Sequence, residues 1–171
     1  MNIETERLRL RPVERRDIDT IARWNRDPEH TRHLLGVLTR EQTEEAMDRW
    51  LGHWERHGFG LLMVEWKETG EPIGRTGPQY HRAWPHDPEV GWGFDPAWWG
   101  RGFATEAGRA SIEWTFGELD FARVVSITTE ANMASRRVME KLGFRLLELV
   151  PFPELGLDLW VHALDRKPLY P

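Results

Sequence analysis

Charged and apolar residues alternate over Arg7-Leu8-Arg9-Leu10-Arg11, the period of a strand with one buried face, and Pro12 stops it. Its arginines read as a solvated face rather than an anion site. The period then changes. Ile18, Ile21 and Ala22 recur at helical spacing behind Asp17, which is placed to cap a helix reaching about Asn25. Arg26 to Gly36 is polar and irregular, a turn or a short helix. Thr39-Arg40-Glu41-Gln42 has the form of a capping box, so a helix should run to about His57 and end at Gly58. Its apolar stripe is Ala46, Trp50 and Trp54, with Met47 and Leu51 beside it.

Phe59 to Lys67 is an apolar run that predicts a strand. Glu68-Thr69-Gly70-Glu71 is a turn, and Pro72 to Tyr80 returns as the second strand of a hairpin, weakened by Gly74 and Gly77. Residues 81–88 read as a loop, and Glu89 to Phe94 as a strand ended by Pro96. Phe103, Ala107, Ala110 and Trp114 then share one side of a helix down to about Leu119. Arg123 to Thr128 is a β-branched strand. Asn132 is placed to cap a helix over 133–142, and Gly143 suits its left-handed end. Phe144 to Val150 and Leu157 to Leu164 are the last strands, with Pro151-Phe152-Pro153 as a break. The order β-α-α-β-β-β-α-β-α-β-β makes residues 1–171 one mixed α/β domain of about seven strands. The strands at 89–94 and 123–128 should be parallel neighbours joined through a helix.

Composition narrows the function classes. A net charge of −5 argues against a general nucleic-acid binder, which needs a basic surface. The absence of cysteine excludes disulfides, thiolate metal sites and a cysteine nucleophile. No apolar run approaches membrane-spanning length, and the start Met1-Asn2-Ile3-Glu4-Thr5-Glu6 has no signal-peptide character. The cytoplasm is the expected compartment. His53 and His57 are spaced to chelate a metal from one helix, but no third ligand joins them, so no metal site is expected. The ten tryptophans are core or groove-lining candidates, and Trp50, Trp54, Trp84 and Tyr80 are candidates to wall an acceptor pocket.

The strongest chemical signal is the glycine turn Trp98-Trp99-Gly100-Arg101-Gly102-Phe103-Ala104-Thr105-Glu106-Ala107, between a strand and a helix. Backbone N–H groups gathered there, at a helix N-terminus, suit a phosphate or pyrophosphate. A lysine-bearing phosphate loop is excluded, because Phe103 follows the last glycine. A dinucleotide fingerprint counted from Gly100 fails at Thr105. Trp99-Gly100-Arg101-Gly102-Phe103-Ala104 instead resembles the Gln/Arg-x-x-Gly-x-Gly/Ala acetyl-CoA motif of the GNAT superfamily of N-acetyltransferases, with Trp99 departing at the first position. Asn132 through Phe144 is similar to the second motif of its ribosomal-protein (RimJ/RimL-like) branch. Glu4 through Pro12 resembles that branch's start.

The resemblance implies a mixed, mostly antiparallel sheet, splayed between the fourth and fifth strands and flanked by helices. It also implies acetyl-CoA as co-substrate, and a monomer or homodimer. Backbone amides from Trp99, Gly100, Arg101, Gly102, Phe103 and Ala104, with Thr105 next, would hold the pyrophosphate. Trp92, Gly93 and Phe94 would pair with pantetheine, and Asn132 would contact the cofactor arm. Many family members carry a tyrosine seven positions after this asparagine as the acid for the leaving thiolate; here that position is Met139. Ser135 is the replacement candidate, or else a hydroxyl that only binds. Glu89, at the head of the strand, is the candidate base, with Glu130, His81, His86 and Asp87 as alternatives. The acceptor would be a protein N-terminus, needing an open groove at the hairpin, or a small amine, needing a closed pocket. A non-catalytic acyl-CoA-binding or sensing domain is the competing reading, and a nucleotide-binding enzyme of Rossmann type a third.

Overall fold

The computed structural model describes residues 1–33 and 36–167. The expected irregular segment is a run of turns from Arg26 to His33, and its part at Leu34 and Leu35 lies outside the described residues. In chain order the elements are β1 (Ile3–Glu4), β2 (Leu8–Pro12), α1 (Ile18–Asn25), α2 (Arg40–His57), β3 (Leu62–Trp66), β4 (Glu71–His81), β5 (Trp84–Phe94), α3 (Phe103–Gly117), β6 (Arg123–Thr128), α4 (Met133–Leu142), β7 (Arg145–Phe152) and β8 (Leu157–Asp165). Among the described residues the strands form one sheet of eight, ordered β1-β2-β3-β4-β5-β6-β8-β7. The eighth strand, β1, is missed by periodicity because its two residues carry no pattern; it exists through pairing of Ile3 with Leu10 and Glu4 with Arg9. No helix among the described residues is long and apolar enough to cross a membrane.

Two helix pairs sandwich the sheet. Ala107, Ala110 and Trp114 of α3 pack with Leu8, Leu10, Leu62, Val64, Ile73 and Phe94 on one face. Met139 and Leu142 of α4 continue that layer over Val90 and Val124. On the other face Ile21 and Trp24 of α1 and Met47 of α2 cover Leu61 and Met63. Helix ends follow the local chemistry. The Gln42 N–H donates to Thr39 Oγ1 and the Thr39 N–H to Gln42 Oε1, closing the capping box. Gly58 and Gly143 end α2 and α4 at φ of 73° and 90°, where a glycine carries no steric penalty.

Five expectations are corrected. Residues 81–88 are not a loop: β4 and β5 form a hairpin whose ladder reaches His81 opposite Trp84, so pairing overrides the turn-forming composition. Likewise β7 runs through Pro151 to Phe152 as an edge strand, where a missing N–H is tolerated. The arginines of β2 are not one solvated face. Arg11 is buried and makes a two-pronged ion pair with Asp17 at 2.7 and 2.8 Å, while its Nε donates to Glu65 at 2.7 Å. Gly74 does not weaken β4 either; a side chain there would sit 2.8 Å from the Gly93 carbonyl, so close approach requires the glycine. The Rossmann reading falls as well, because among the described strands β5 and β6 alone pair in parallel.

The Arg11 cluster ties β2 and β3 to the start of α1. Arg11→Ala should lower the unfolding free energy by about 3–5 kcal/mol in denaturant titration, since it strands the buried Asp17 carboxylate. Adding Asp17→Ala should recover part of that loss. A double variant as unstable as the sum of the two singles would show that the pair is not coupled.

Candidate active site

The functional geometry starts where two strands part. β5 and β6 run parallel but pair at one position, Glu89 opposite Val125. Beyond it β5 stays bonded to β4 and β6 to β8, so a gap opens between them. The Asp95 N–H bonds to the Ile73 carbonyl, so the ladder alternation turns the polar groups of Trp92 and Phe94 toward that gap. Phe94 spends its carbonyl locally: Trp99 Nε1 donates to it at 2.7 Å and His30 Nδ1 lies 3.0 Å away. Trp92 keeps the same outward direction, while its ring packs toward Gly108 of α3.

The glycine turn stands at the mouth of the gap. Asp95 Oδ1 accepts the Ala97 N–H at 3.1 Å and starts a single 3-10 turn over Pro96–Trp98. Gly100 and Gly102 then take φ of 75° and 81°, and α3 begins with no side chain capping its first turn. The N–H groups of Phe103, Ala104 and Thr105 therefore have no partner within the helix, as at any helix start. Phe103 itself is buried, so its contribution to a ligand is backbone only. The Arg101 guanidinium lies over the Trp98 ring at 4.8 Å. The turn is anchored from behind. Glu106 accepts from Thr5 Oγ1 at 2.6 Å, the Arg7 N–H at 2.9 Å and Arg7 Nε at 2.7 Å, and Arg7 Nη1 donates to the Arg101 carbonyl at 3.0 Å.

On the α1–α2 face the gap opens into a cavity of about 550 Å³. Glu89, Asn132, Ser135, Trp92 and Gly93 all border it, so the structure brings the expected catalytic pair and part of the expected cofactor set together. Asn132 Oδ1 accepts the Ser135 N–H at 3.1 Å and fixes the start of α4. Glu89 is buried, with 9% of its surface exposed. Burial pushes its carboxyl up to about 7, opposed by a hydrogen bond from the Ile127 N–H. Of the alternative bases, His81 also borders the cavity, and burial, then the Arg82 charge, lowers its pKa. Asp87 accepts from Trp84 Nε1 at 3.1 Å, His86 sits against the Trp84 ring, and Glu130 is exposed. Met139 is buried among Val90, Ile112 and Phe144 and carries no acidic hydrogen.

Several expectations about the walls change. Of the four aromatic candidates Trp50 borders the cavity; Trp54 packs in the core, its indole N–H on the Leu61 carbonyl at 2.9 Å, and Tyr80 packs on His57 and Phe59. His53 has both nitrogens engaged, Nδ1 with the Phe59 carbonyl at 2.8 Å and Nε2 accepting the Tyr80 N–H at 3.1 Å. It staples α2 to the sheet, and among the described residues no cluster of three metal-ligating side chains forms. Arg75, His30 and Gln79 went unnoticed as site residues. The available signal was the strand period itself, which puts Arg75 and Gln79 on one face of β4. A larger groove of about 940 Å³ lies between β1 and α3, but its carboxylates, Glu6, Glu106, Glu113 and Glu118 among them, disfavour an anionic ligand.

Comparison with known proteins agrees with this geometry. Residues 7–145 match the model of an acetyltransferase (GNAT) domain. The chain is 34% identical over 142 residues to the uncharacterized protein YkkB of Bacillus subtilis (strain 168), covering 81% of this chain and 82% of that one. It is 40% identical over 157 residues to the FsC-acetyl coenzyme A-N(2)-transacetylase of Aspergillus fumigatus, covering 85% of this chain and 66% of that one. The fold is similar to the crystal structure of an acetyltransferase from Agrobacterium tumefaciens str. C58, with a TM-score of 0.86, 30% identity, and coverage of 97% and 95%.

Burial of Glu89 has a thermodynamic consequence. Its folded pKa of about 7 stands above the ordinary 4.5, so its favourable contribution is full below pH 4.5 and lost as pH rises through 7. Between pH 5 and 8 the wild type should lose up to about 3 kcal/mol more unfolding free energy than Glu89→Gln does. Parallel stability curves for the two proteins in denaturant titrations would show that Glu89 is ionised throughout.

Proposed function

The chain belongs to the GNAT acetyltransferase family, and from that premise we propose that it moves an acetyl group from acetyl-CoA to a primary amine by direct attack in a ternary complex. The observation that carries this reading is the gap between β5 and β6, with unpartnered helix N–H groups at its mouth and a buried carboxyl at its apex. The Trp99 N–H is bonded to the Pro96 carbonyl, so the pyrophosphate lies on the amides from Gly100 to Thr105, and pantetheine extends past Gly93 along the gap-facing polar groups of Trp92. Phe94 adds its N–H, since its carbonyl is already occupied. Asn132 caps α4 with its Oδ1, which leaves its Nδ2 donors to contact the cofactor arm.

The chemistry balances without a redox change. Glu89, directly or through one water, takes a proton from the acceptor ammonium. The free amine attacks the thioester carbonyl, a C–N bond forms, the adduct nitrogen gives its surplus proton to water, and the C–S bond breaks. Ser135 donates a proton to the departing thiolate and is reprotonated from solvent. A free thiol has a pKa of about 8.5, so the thiolate leaves readily and a weak acid is enough. This accounts for activity with Met139 where many relatives carry tyrosine. That buried methionine also favours a second reading, a domain that binds acyl-CoA without turning it over. The motifs resemble the RimJ/RimL-like branch, which leaves a protein N-terminus as a possible acceptor class. The roofed cavity favours a small amine instead, and the cytoplasm is the compartment that supplies both substrates.

Thiol release from acetyl-CoA over a panel of amines and N-terminal peptides decides between transfer and mere binding. Glu89→Gln should reduce kcat/KM by about 10²–10⁴-fold and erase a rising limb centred near pH 7. Ser135→Ala should lower kcat more than CoA affinity; equal losses in both would make Ser135 a binding group only. Tight CoA binding without thiol release from any amine would favour the sensor.

Gly102→Asp should abolish CoA binding in calorimetry, because φ of 81° strains any side chain and the added charge repels the pyrophosphate. Unchanged affinity would displace the cofactor from the glycine turn.

A further inference from the structure

The cavity has a second polar pole that acetyl transfer leaves unused. Arg75 on β4 pairs across the ladder with Gly93 of β5 and borders the cavity. Its Nη1 is buried, and burial pushes the guanidinium pKa down to about 10, so it stays cationic at neutral pH. Among the described residues no carboxylate forms an ion pair with it, and its Nη1 has no hydrogen-bond partner. The Trp50 ring lies 4.9 Å from it and supplies a cation–π contact. Its neighbour His30 is buried too. The Phe94 carbonyl can only accept, so His30 Nδ1 carries the hydrogen and Nε2, also unpartnered, presents a lone pair. Burial, then the Arg75 charge, holds this imidazole below its ordinary pKa.

Two glycines on one face of β5 lie beside the two poles. A methyl group on Gly91 would touch Glu89 Oε1 at 3.6 Å; one on Gly93 would touch Arg75 Nε at 3.6 Å and His30 Nε2 at 3.8 Å. Residues two apart on a strand are separated by roughly 7 Å. A ligand amine lying over Gly91 within reach of Glu89, and a ligand oxyanion lying over Gly93 within reach of Arg75, would therefore stand about that far apart, the span of an amine and an oxyanion joined by a short carbon link. An uncompensated buried cation costs several kcal/mol, a cost removed when an anion arrives.

We propose that Arg75 anchors the carboxylate of the acceptor, and that the acceptor is a short amino acid whose amine faces Glu89. The planar fork of the guanidinium matches a carboxylate with two parallel hydrogen bonds, and its single charge is balanced by one carboxylate. A zwitterion of this kind satisfies both poles at once. Trp50 keeps the guanidinium flat against the cavity wall, and the absence of side chains at Gly91 and Gly93 leaves the ligand its space. This inference rests on the amine-acetylation reading for the role of Glu89, but the anchor itself can be tested apart from turnover.

The test uses α-amino acids, β-alanine and 4-aminobutyrate, each paired with its primary carboxamide. Two readouts are thiol release with acetyl-CoA and calorimetric binding to the CoA-loaded protein. At least one acid should exceed its carboxamide by roughly 30-fold in both, as expected for a charged hydrogen-bonded pair. Arg75→Met, which keeps the stem volume, should bring that ratio to near one without changing CoA affinity, and Arg75→Lys should recover only part of it. Acids and carboxamides that behave alike in wild-type protein would overturn the anchor even if thiol release proceeds. A preference that survives Arg75→Met would overturn it too. Arg75-dependent binding of an acid with no thiol release would keep the anchor and sink the acetyl-transfer reading.

Discussion

The rest of the molecule depends on two parallel strands that touch once and then part. A sheet interior normally satisfies every backbone polar group through its neighbours, and a gap forfeits those bonds. The protein holds this gap open from outside, with β4 gripping β5 and β8 gripping β6 along their lengths. It compensates part of the loss with side chains. The Phe94 carbonyl receives the indole of Trp99 and faces the imidazole of His30. The Ile127 N–H, turned toward the gap on β6, faces the carboxyl of Glu89 and offsets part of the cost of its burial. The candidate base therefore stands where a ladder bond is missing, and the parting of the strands is what buries it there.

The two mouths of the gap are built from different parts of the chain. On the α3 side the first turn of the helix offers N–H groups, and the N-terminal Thr5 and Arg7 lock Glu106 and Arg101 behind it. On the α1–α2 side the floor is made of residues too small to fill it. Gly77, at φ of 134°, lets β4 pass beneath the Gly60 carbonyl, which a side chain would approach to 2.5 Å. Gly91 and Gly93 leave the surface of β5 bare. Gly77, which weakens the strand signal in the sequence, thus helps make a cavity beside the sheet possible.

This explains what was legible in the sequence. Elements set by local chemistry read directly: the capping box at Thr39, the left-handed ends at Gly58 and Gly143, Asn132 ahead of α4, and the glycine turn. Glu89 reads as the head of a strand over 89–94, whereas β5 begins at Trp84 and holds Glu89 within the strand, opposite Val125 where β6 parts from it. Elements set by partners did not read. The hairpin through residues 81–88 contains prolines and histidines that say loop, and long-range pairing overrides them. Arg11 and Arg75 each look like an ordinary strand arginine, since alternation assigns a face but not which face meets water. One arginine meets Asp17 and Glu65, and the other lines the cavity.

Burial of Glu89 has a kinetic meaning as well as a structural one. A carboxyl with a pKa near 4.5 is a poor acceptor for a proton from an ammonium group. Raising it to about 7 brings donor and acceptor closer by some 2.5 pKa units, about 3 kcal/mol of proton affinity. The cost falls on the empty site, where the carboxylate is disfavoured. An entering ammonium stabilises that carboxylate, and proton transfer then restores the neutral carboxyl that burial prefers. On the proposed reading Arg75 completes the balance from the other pole, since a bound carboxylate would cancel its unpaired charge, which does not titrate at neutral pH. On that same reading a zwitterion would enter with no net charge, satisfy both ends, and have its amine uncharged where it meets the thioester.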